Sequence, residues 1–428
     1  MSDLTIPLEK FPATVLELDN GLTVIHQQLT ATPVVVTDVW VKAGARQEPW
    51  WGTAHFLEHL IFKGTKRIPP GWFDHVIENC GGMANAETSY DFAHFFLTTA
   101  GCYWHQTLPY LAELLLQAEI PEEEFLCEQG VVLEEIRQTE DDPDCFAFQA
   151  LCETLYDQHP YGRSILGTEE ALLARSPNQI RCFHRTYYQP QNLTIVVVGD
   201  VDQETALAGI ESAFNPFSVP SECPPFEIAP QPQLTTPQRR EIRLPRLEVA
   251  RLIMGWRGVG IEDWEDAVGL DLLSVLLAQG NTSRLVRELR EEKQLVYEIG
   301  SGFSLQQDSS LFTINCWLAP ENLARVEAIL RDRVLELQTQ PITEKELNRA
   351  KRLLCNDYAF STETPGQLAG LYGYYSTLAQ VQMSLSYPQR IQQLQPEELQ
   401  QLAKTYLSPD RYALTVMKPF ETASGTNE

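Results

Sequence analysis

Basic residues are scarce in this chain: Lys and Arg number 32 against 58 Asp and Glu, a formal charge of -26 over 428 residues. That excess repels nucleic-acid phosphates and excludes a nucleic-acid partner, while it favours basic ones. Cys-x-x-Cys pairs are absent, and nine cysteines are an odd number on which to build a disulfide framework. They read as reduced, mostly buried thiols. Long apolar runs are missing too. No window approaches the roughly eighteen apolar residues of a membrane span, and even Leu111–Leu116 is broken by Glu113. Residues Met1–Thr14 hold neither a basic segment ahead of an apolar run nor an Arg-rich, acid-poor stretch, so the expected location is cytoplasmic.

The composition, 43% hydrophobic and 21% charged, is that of a globular protein, and the length favours at least two domains. Between Asn215 and Arg240 lie Pro216, Pro220, Pro224, Pro225, Pro230, Pro232 and Pro237, too dense for a helix or central strand. Residues 215–240 therefore read as a linker between an N-terminal domain, 1–214, and a C-terminal domain, 241–428. The two segments share a plan. Val34–Val41 precedes a helix-like run ending in Phe62-Lys63-Gly64-Thr65, and Val249–Gly255 precedes one ending in Ala278-Gln279-Gly280-Asn281. A long helix follows in each, opened by Ile120-Pro121-Glu122-Glu123-Glu124-Phe125 or Ile342-Thr343-Glu344-Lys345-Glu346-Leu347, where acids suit the free N–H groups of a first turn. Strands such as Leu193–Val198 and Leu311–Trp317 among helices predict α+β domains, each a mostly antiparallel sheet with helices on one face.

The chemistry concentrates in His55-Phe56-Leu57-Glu58-His59. Residues four apart share a helix face, so the imidazoles of His55 and His59 converge on one ion. Glu58, three residues from His55, projects near that face and suits a general base on a metal-bound water. Two ordinary histidines on a helix would account for the pair alone but not for the acid beside them. Superposing Gly64 on Gly280 carries His55, Glu58 and His59 onto Asp271, Ser274 and Val275, so the second half lacks this set.

A catalytic zinc takes three protein ligands and leaves a position open. The third is sought on the helix Glu122–Arg137, which carries Glu128, Glu134 and Glu135. Positions 128, 131, 132 and 135 share a face, so Glu128 and Glu135 point inward with Val131 and Val132 while Glu134 turns away. Periodicity leaves both inward acids open as the ligand.

These residues closely resemble the pitrilysin or insulinase family of inverted zinc peptidases, in its half-length, processing-peptidase-like branch. The resemblance rests on the His55–His59 motif with Phe62-Lys63-Gly64-Thr65, then Gly81-Gly82, Asn85-Ala86 and Glu128-Gln129-Gly130-Val131-Val132-Leu133-Glu134-Glu135-Ile136. It continues through His159-Pro160-Tyr161-Gly162, Tyr188-Gln189-Pro190-Gln191-Asn192 and Gly199-Asp200. It implies that Glu135 is the third zinc ligand and Glu128 a supporting acid that orients a ligand. It also implies that Arg290 and Tyr297, within Leu289-Arg290-Glu291-Glu292-Lys293-Gln294-Leu295-Val296-Tyr297, hold the peptide near its scissile carbonyl. Val296 departs from the Gly or Ala that most relatives carry there. The long glycine-rich loop of the noncatalytic mitochondrial partner is also missing.

The expected function is a Zn2+-dependent endopeptidase acting on short or unfolded, possibly basic, peptides inside a closing cavity, with Glu58 as general base. The strand at Asn85-Ala86 is the expected edge for substrate addition. A homodimer is expected, since one chain holds both the zinc set and the Arg and Tyr pair. A catalytic subunit needing a different partner chain is an alternative. A noncatalytic assembly subunit is another, against which the intact zinc set weighs.

Overall fold

The computed structural model describes residues 12–224, 228, 234–245 and 247–420. In chain order the strands are β1 (Thr14–Glu17), β2 (Thr23–Gln28), β3 (Val34–Val41), β4 (Met83–Thr88), β5 (Ala93–Ala100), β6 (Leu193–Gly199), β7 (Gln238–Leu244), β8 (Ala250–Gly258), β9 (Glu298–Leu305), β10 (Ser310–Leu318) and β11 (Ala413–Pro419). The helices are α1 (Thr53–Ile61), α2 (Trp72–Asn79), α3 (Trp104–Gln117), α4 (Glu122–Asp141), α5 (Pro143–Tyr156), α6 (Glu169–Leu173), α7 (Pro177–Tyr187), α8 (Gln203–Ala213), α9 (Trp264–Ala278), α10 (Leu323–Thr339), α11 (Glu344–Phe360), α12 (Pro365–Leu378), α13 (Met383–Gln393) and α14 (Pro396–Tyr406). This is the expected α+β class.

The chain forms two compact units, and they are not the sequential segments 1–214 and 241–428. Unit 1 draws on Met1–Arg137, Ser164–Ile228 and Ala359–Ser386, and unit 2 on Gln138–Arg163, Ala229–Tyr358 and Tyr387–Glu428. Each half of the sequence thus gives one helix, α5 or α12, to the unit built mainly by the other. Strand β7 also begins at Gln238, inside the stretch read as linker.

In unit 1 six strands run in the order β1-β2-β6-β3-β5-β4, with β2 and β6 parallel and every other pair antiparallel. Seven of the eight residues of β3 are buried, because both faces of the sheet are covered. Alternation splits them. Val35 and Val39 face a core shared with Phe56, Leu57 and Leu60 of α1, while Val36 and Trp40 face Ala369 and Tyr372 of α12. A one-faced covering was expected, and α12 is the addition, arriving from far along the chain. It lies so close that a Cβ at Gly373 would collide with Trp40 Nε1, an approach only glycine permits.

Unit 2 repeats the plan with five strands, β7-β11-β8-β10-β9, in which β7 and β11 are the parallel pair. Leu252, Met254 and Trp256 of β8 enter a core with α9, while Gly255, on the opposite face, lies under Leu151 and Leu155 of α5. The His159-Pro160-Tyr161-Gly162 motif hooks onto the β9–β10 turn. His159 Nε2 lies 3.2 Å from Asp308 Oδ2, and the Tyr161 hydroxyl accepts the Asp308 N–H at 3.1 Å. Asp271, at the position matching His55, is half-buried and takes a hydrogen bond from the Tyr387 hydroxyl; loss of water around its carboxyl pushes it up to about 6.

Of the nine cysteines only Cys80, Cys152 and Cys316 are buried, which corrects the expectation that most would be. Cys102, Cys127 and Cys145 are exposed, on or beside helices with an open face.

Candidate active site and metal centre

Helix α1 forms because its apolar residues sit where the sheet can bury them: Phe56, Leu57, Leu60 and Ile61 are each 0% exposed. Burial of such side chains contributes about 1.5–3 kcal/mol each. Its first turn has no capping side chain at Gly52; the buried carboxyl of Glu48 accepts the Gly52 and Ala54 N–H groups at 2.7 and 2.9 Å instead. Burial, only partly offset by these bonds and the charge of Arg175, pushes Glu48 up to about 8. Beyond the helix, Gly64 takes a φ of 101°, and a Cβ there would stand 2.6 Å from Ile68 O, so the chain turns sharply away.

His55 and His59 lie one turn apart, with ring centroids 4.8 Å from each other. Glu135 of α4 closes the group: its Oε2 is 3.6 Å from His55 Nε2 and 3.4 Å from His59 Nε2. One donor atom from each of the three lies within 4.8 Å of the others, and this is the one such group among the described residues. Two imidazoles and a carboxylate are a donor set zinc accepts in catalytic sites. Ligands must be free of protons, and burial drives His55 down to about 4, against the pull of Glu135, leaving its ring neutral near pH 7. Glu135 is held below the usual carboxylate range first by its hydrogen bond with His59. Burial works to lower His59, but its bonds with Glu135 and Glu128 outweigh that and raise it. The residues present fit the ion.

Glu128 stands behind His59. Its Oε2 is 3.3 Å from His59 Nδ1, and its Oε1 accepts Lys63 Nζ at 2.7 Å. Helix α4 thus separates the two acids that periodicity left open: Glu135 reaches the point shared by both imidazoles, and Glu128 reaches the far nitrogen of one. Glu134 is exposed, as expected. Val131 is not part of the buried stripe, however, being 48% exposed. Phe125, Glu128, Val132 and Ile136 define the stripe, and at roughly 100° per residue Val131 falls about a quarter-turn or more from its centre.

Glu58 projects beside this group and accepts the Thr88 hydroxyl at 2.6 Å. Burial raises its carboxyl, and the Thr88 bond opposes that rise. Thr88 ends β4, which carries Asn85 and Ala86 and forms an edge of the sheet, so one row of its N–H and C=O groups lies outside the ladder. Ala86 is partly buried toward the α1 core, whereas Asn85 is exposed and its Oδ1 accepts the Ala86 N–H at 2.9 Å. Lys63, Thr88 and Glu48 were not singled out from the sequence. The signals were faint: Lys63 follows His59 by four residues, and Thr88 continues the alternation of Ala84 and Ala86.

Arg290 and Tyr297 belong to unit 2. Arg290 sits in a π-helical turn, Val286–Glu292, and donates from Nε to Glu291 Oε1 at 2.8 Å and from Nη2 to Asn281 Oδ1 at 2.9 Å. Tyr297, just ahead of β9, is 63% exposed, with its N–H bonded to Trp317 O at 2.7 Å.

The fold and the site together define an α+β protein with two histidines and one carboxylate on its first unit that could hold a metal ion. Residues 23–169 match the family described as insulinase (peptidase family M16), and residues 175–354 match the peptidase M16 inactive domain. The zinc protease PqqE of Helicobacter pylori is 30% identical over 413 residues, 94% of this chain and 92% of that protein. An uncharacterized zinc protease of Bacillus subtilis, YmxG, is 27% identical over 94% of this chain and 97% of its own. A crystal structure of a protease from Helicobacter pylori superposes with a TM-score of 0.88 at 29% identity, covering 95% of this chain and 99% of that one. The chain belongs to the insulinase family of peptidases, in its half-length form. The label of the second domain agrees with Asp271, Ser274 and Val275 standing where the first has His55, Glu58 and His59. No described helix is long and apolar enough to cross a membrane.

Proposed function

We propose that the protein is a zinc-dependent endopeptidase hydrolysing short or unfolded peptides, with His55, His59 and Glu135 as zinc ligands and Glu58 as general base. The observation that carries this reading is the convergence of three donor atoms within 4.8 Å, with the half-buried carboxylate of Glu58 on the helix of two of them. Zinc, when bound, supplies a Lewis acid that polarises the peptide carbonyl and acidifies water. Glu58 takes the proton of the attacking water and returns it to the departing amine, and the Thr88 hydroxyl keeps its carboxylate oriented. Glu128, fixed by Lys63, sets the ring of His59. The free edge of β4 accepts an extended peptide as an added strand, which gives recognition through backbone with little sequence demand. Glu87, exposed on that strand next to Thr88, and the charge of -26 favour basic peptides. For Arg290 and Tyr297 as peptide-holding groups, and for a homodimer, the support is the family resemblance.

The test is cleavage of extended basic peptides by zinc-loaded wild type and by Glu58→Gln, with zinc measured in both. The variant is expected to keep its zinc and lose about 10²–10⁴-fold in rate. A zinc-loaded wild type that cleaves none of these peptides would defeat the endopeptidase reading, and full activity in Glu58→Gln would remove Glu58 from its role.

A further inference from the structure

Two cysteines far apart in the sequence meet on unit 1. Cys182 lies on α7 and Cys223 on the chain leaving α8, 41 residues later, yet their sulfurs are 3.2 Å apart. Both are half-buried, so small oxidants can reach them. The exit chain is laid against α3 and α7 by directed bonds. Gln117 Nε2 donates to Pro216 O at 3.0 Å and the Ser218 hydroxyl donates to Leu116 O at 2.9 Å. The Thr186 hydroxyl is 2.8 Å from Ser221 O, and the Ser221 hydroxyl donates to Cys182 O at 2.9 Å. These contacts fix the backbone on either side of the sulfurs, so the pair meets with little further ordering to be done.

We propose that Cys182 and Cys223 are a modification site, a dithiol that closes to a disulfide and fastens residues 214–224 to α7. With hydrogen peroxide as oxidant, the sulfur of Cys182 attacks one peroxide oxygen, the O–O bond breaks, and the first water leaves a sulfenic acid. The sulfur of Cys223 then attacks that of Cys182, the S–O bond breaks, and a second water carries off the remaining proton. Two thiols lose two electrons and two protons, and one peroxide becomes two waters. Burial, reinforced by the neighbouring sulfur, pushes the Cys223 thiol up to about 11, so its attack depends on the contact at 3.2 Å rather than on a ready thiolate. The bond anchors the start of the proline-rich stretch, so the chain departing unit 1 gains or loses a fixed point with redox state. The disulfide forms whether or not the protein cleaves peptides.

The experiment treats the full-length protein with hydrogen peroxide, and separately with oxidised glutathione, then alkylates free thiols and maps tryptic peptides by mass. The expected result is a cross-linked pair containing Cys182 and Cys223, lighter by two hydrogens, reversed by dithiothreitol and lost in both Cys182→Ser and Cys223→Ser. Cleavage of residues 214–224 by a nonspecific protease is expected to slow at least about tenfold on oxidation, since local opening of the segment is suppressed. Circular dichroism confirms that the variants fold. Cys182 and Cys223 both still alkylated while exposed Cys102, Cys127 or Cys145 are oxidised would overturn the proposal. So would a stable glutathione adduct on either sulfur, or pairing with another cysteine.

Discussion

Replacing Thr88 with valine removes a single hydroxyl from beside Glu58 and keeps the shape of the side chain. That hydroxyl donates to the carboxylate at 2.6 Å, and it opposes the rise in pKa that burial imposes. In the proposed mechanism Glu58 serves as a base only when ionised, so activity is expected to fall as the pH drops through its pKa. A donor to the ionised form holds that pKa down; without it the pKa climbs, and the acid limb of the rate profile moves to higher pH. A hydrogen bond to a charged group contributes about 1.5–3 kcal/mol, and the lower end applies because Glu58 keeps some contact with water. At about 1.36 kcal/mol per pH unit, the limb of Thr88→Val is expected roughly one unit above that of wild type. A bound zinc ion would draw the limb of both proteins downward. The assay is kcat/KM for a fluorogenic peptide across pH, with zinc content checked at each end. Coincident acid limbs would refute the role given to this bond. A uniform loss at every pH would point to a misplaced β4 instead.

Glu128→Gln and Lys63→Met should each weaken zinc, by about 10–100-fold as read by competition with a chelator, because both disturb the group that holds the His59 ring. The Glu48 carboxyl lies at about 8 in the folded protein against an ordinary 4.5, so the folded state holds its proton more tightly than the unfolded one. Its share of stability is complete below about 4.5 and is lost as pH rises through about 8; Tm should decline over that window, and Glu48→Gln should flatten the decline. Glu87→Gln should reduce the preference for a lysine-containing peptide over its glutamine counterpart by up to about fivefold in kcat/KM, the range of an exposed ion pair.

The site was legible where chemistry and periodicity agree. The His55 and His59 pair needed only the four-residue repeat of a helix, and β3, β6, β8 and β10 emerged near their expected bounds because buried strands read as apolar runs. Glu128 and Glu135 could not be told apart, since a helix wheel places both inward and the difference lies in which imidazole nitrogen each meets. Val131 misled for a related reason: apolarity beside a stripe is not membership of it. Lys63 and Thr88 matter through one partner each, Glu128 and Glu58, and the periodicity of one element does not name a partner on another. The exchange of α5 and α12 was hidden for the same reason: a helix pattern records that one face is buried but not which sheet buries it.

That exchange also governs how the polypeptide can be divided. Severing it in the proline-rich stretch yields two pieces, each with a sheet stripped of one covering helix and a spare helix with nothing to cover. On the first piece Val36, Trp40 and Val198 would meet water where Ala369 and Tyr372 had lain. Either piece alone is then a poor folder prone to clumping through its bared sheet, and the two should regain their structure when refolded as a mixture. The unit that repeats in this chain is the half, but each compact unit is assembled from both.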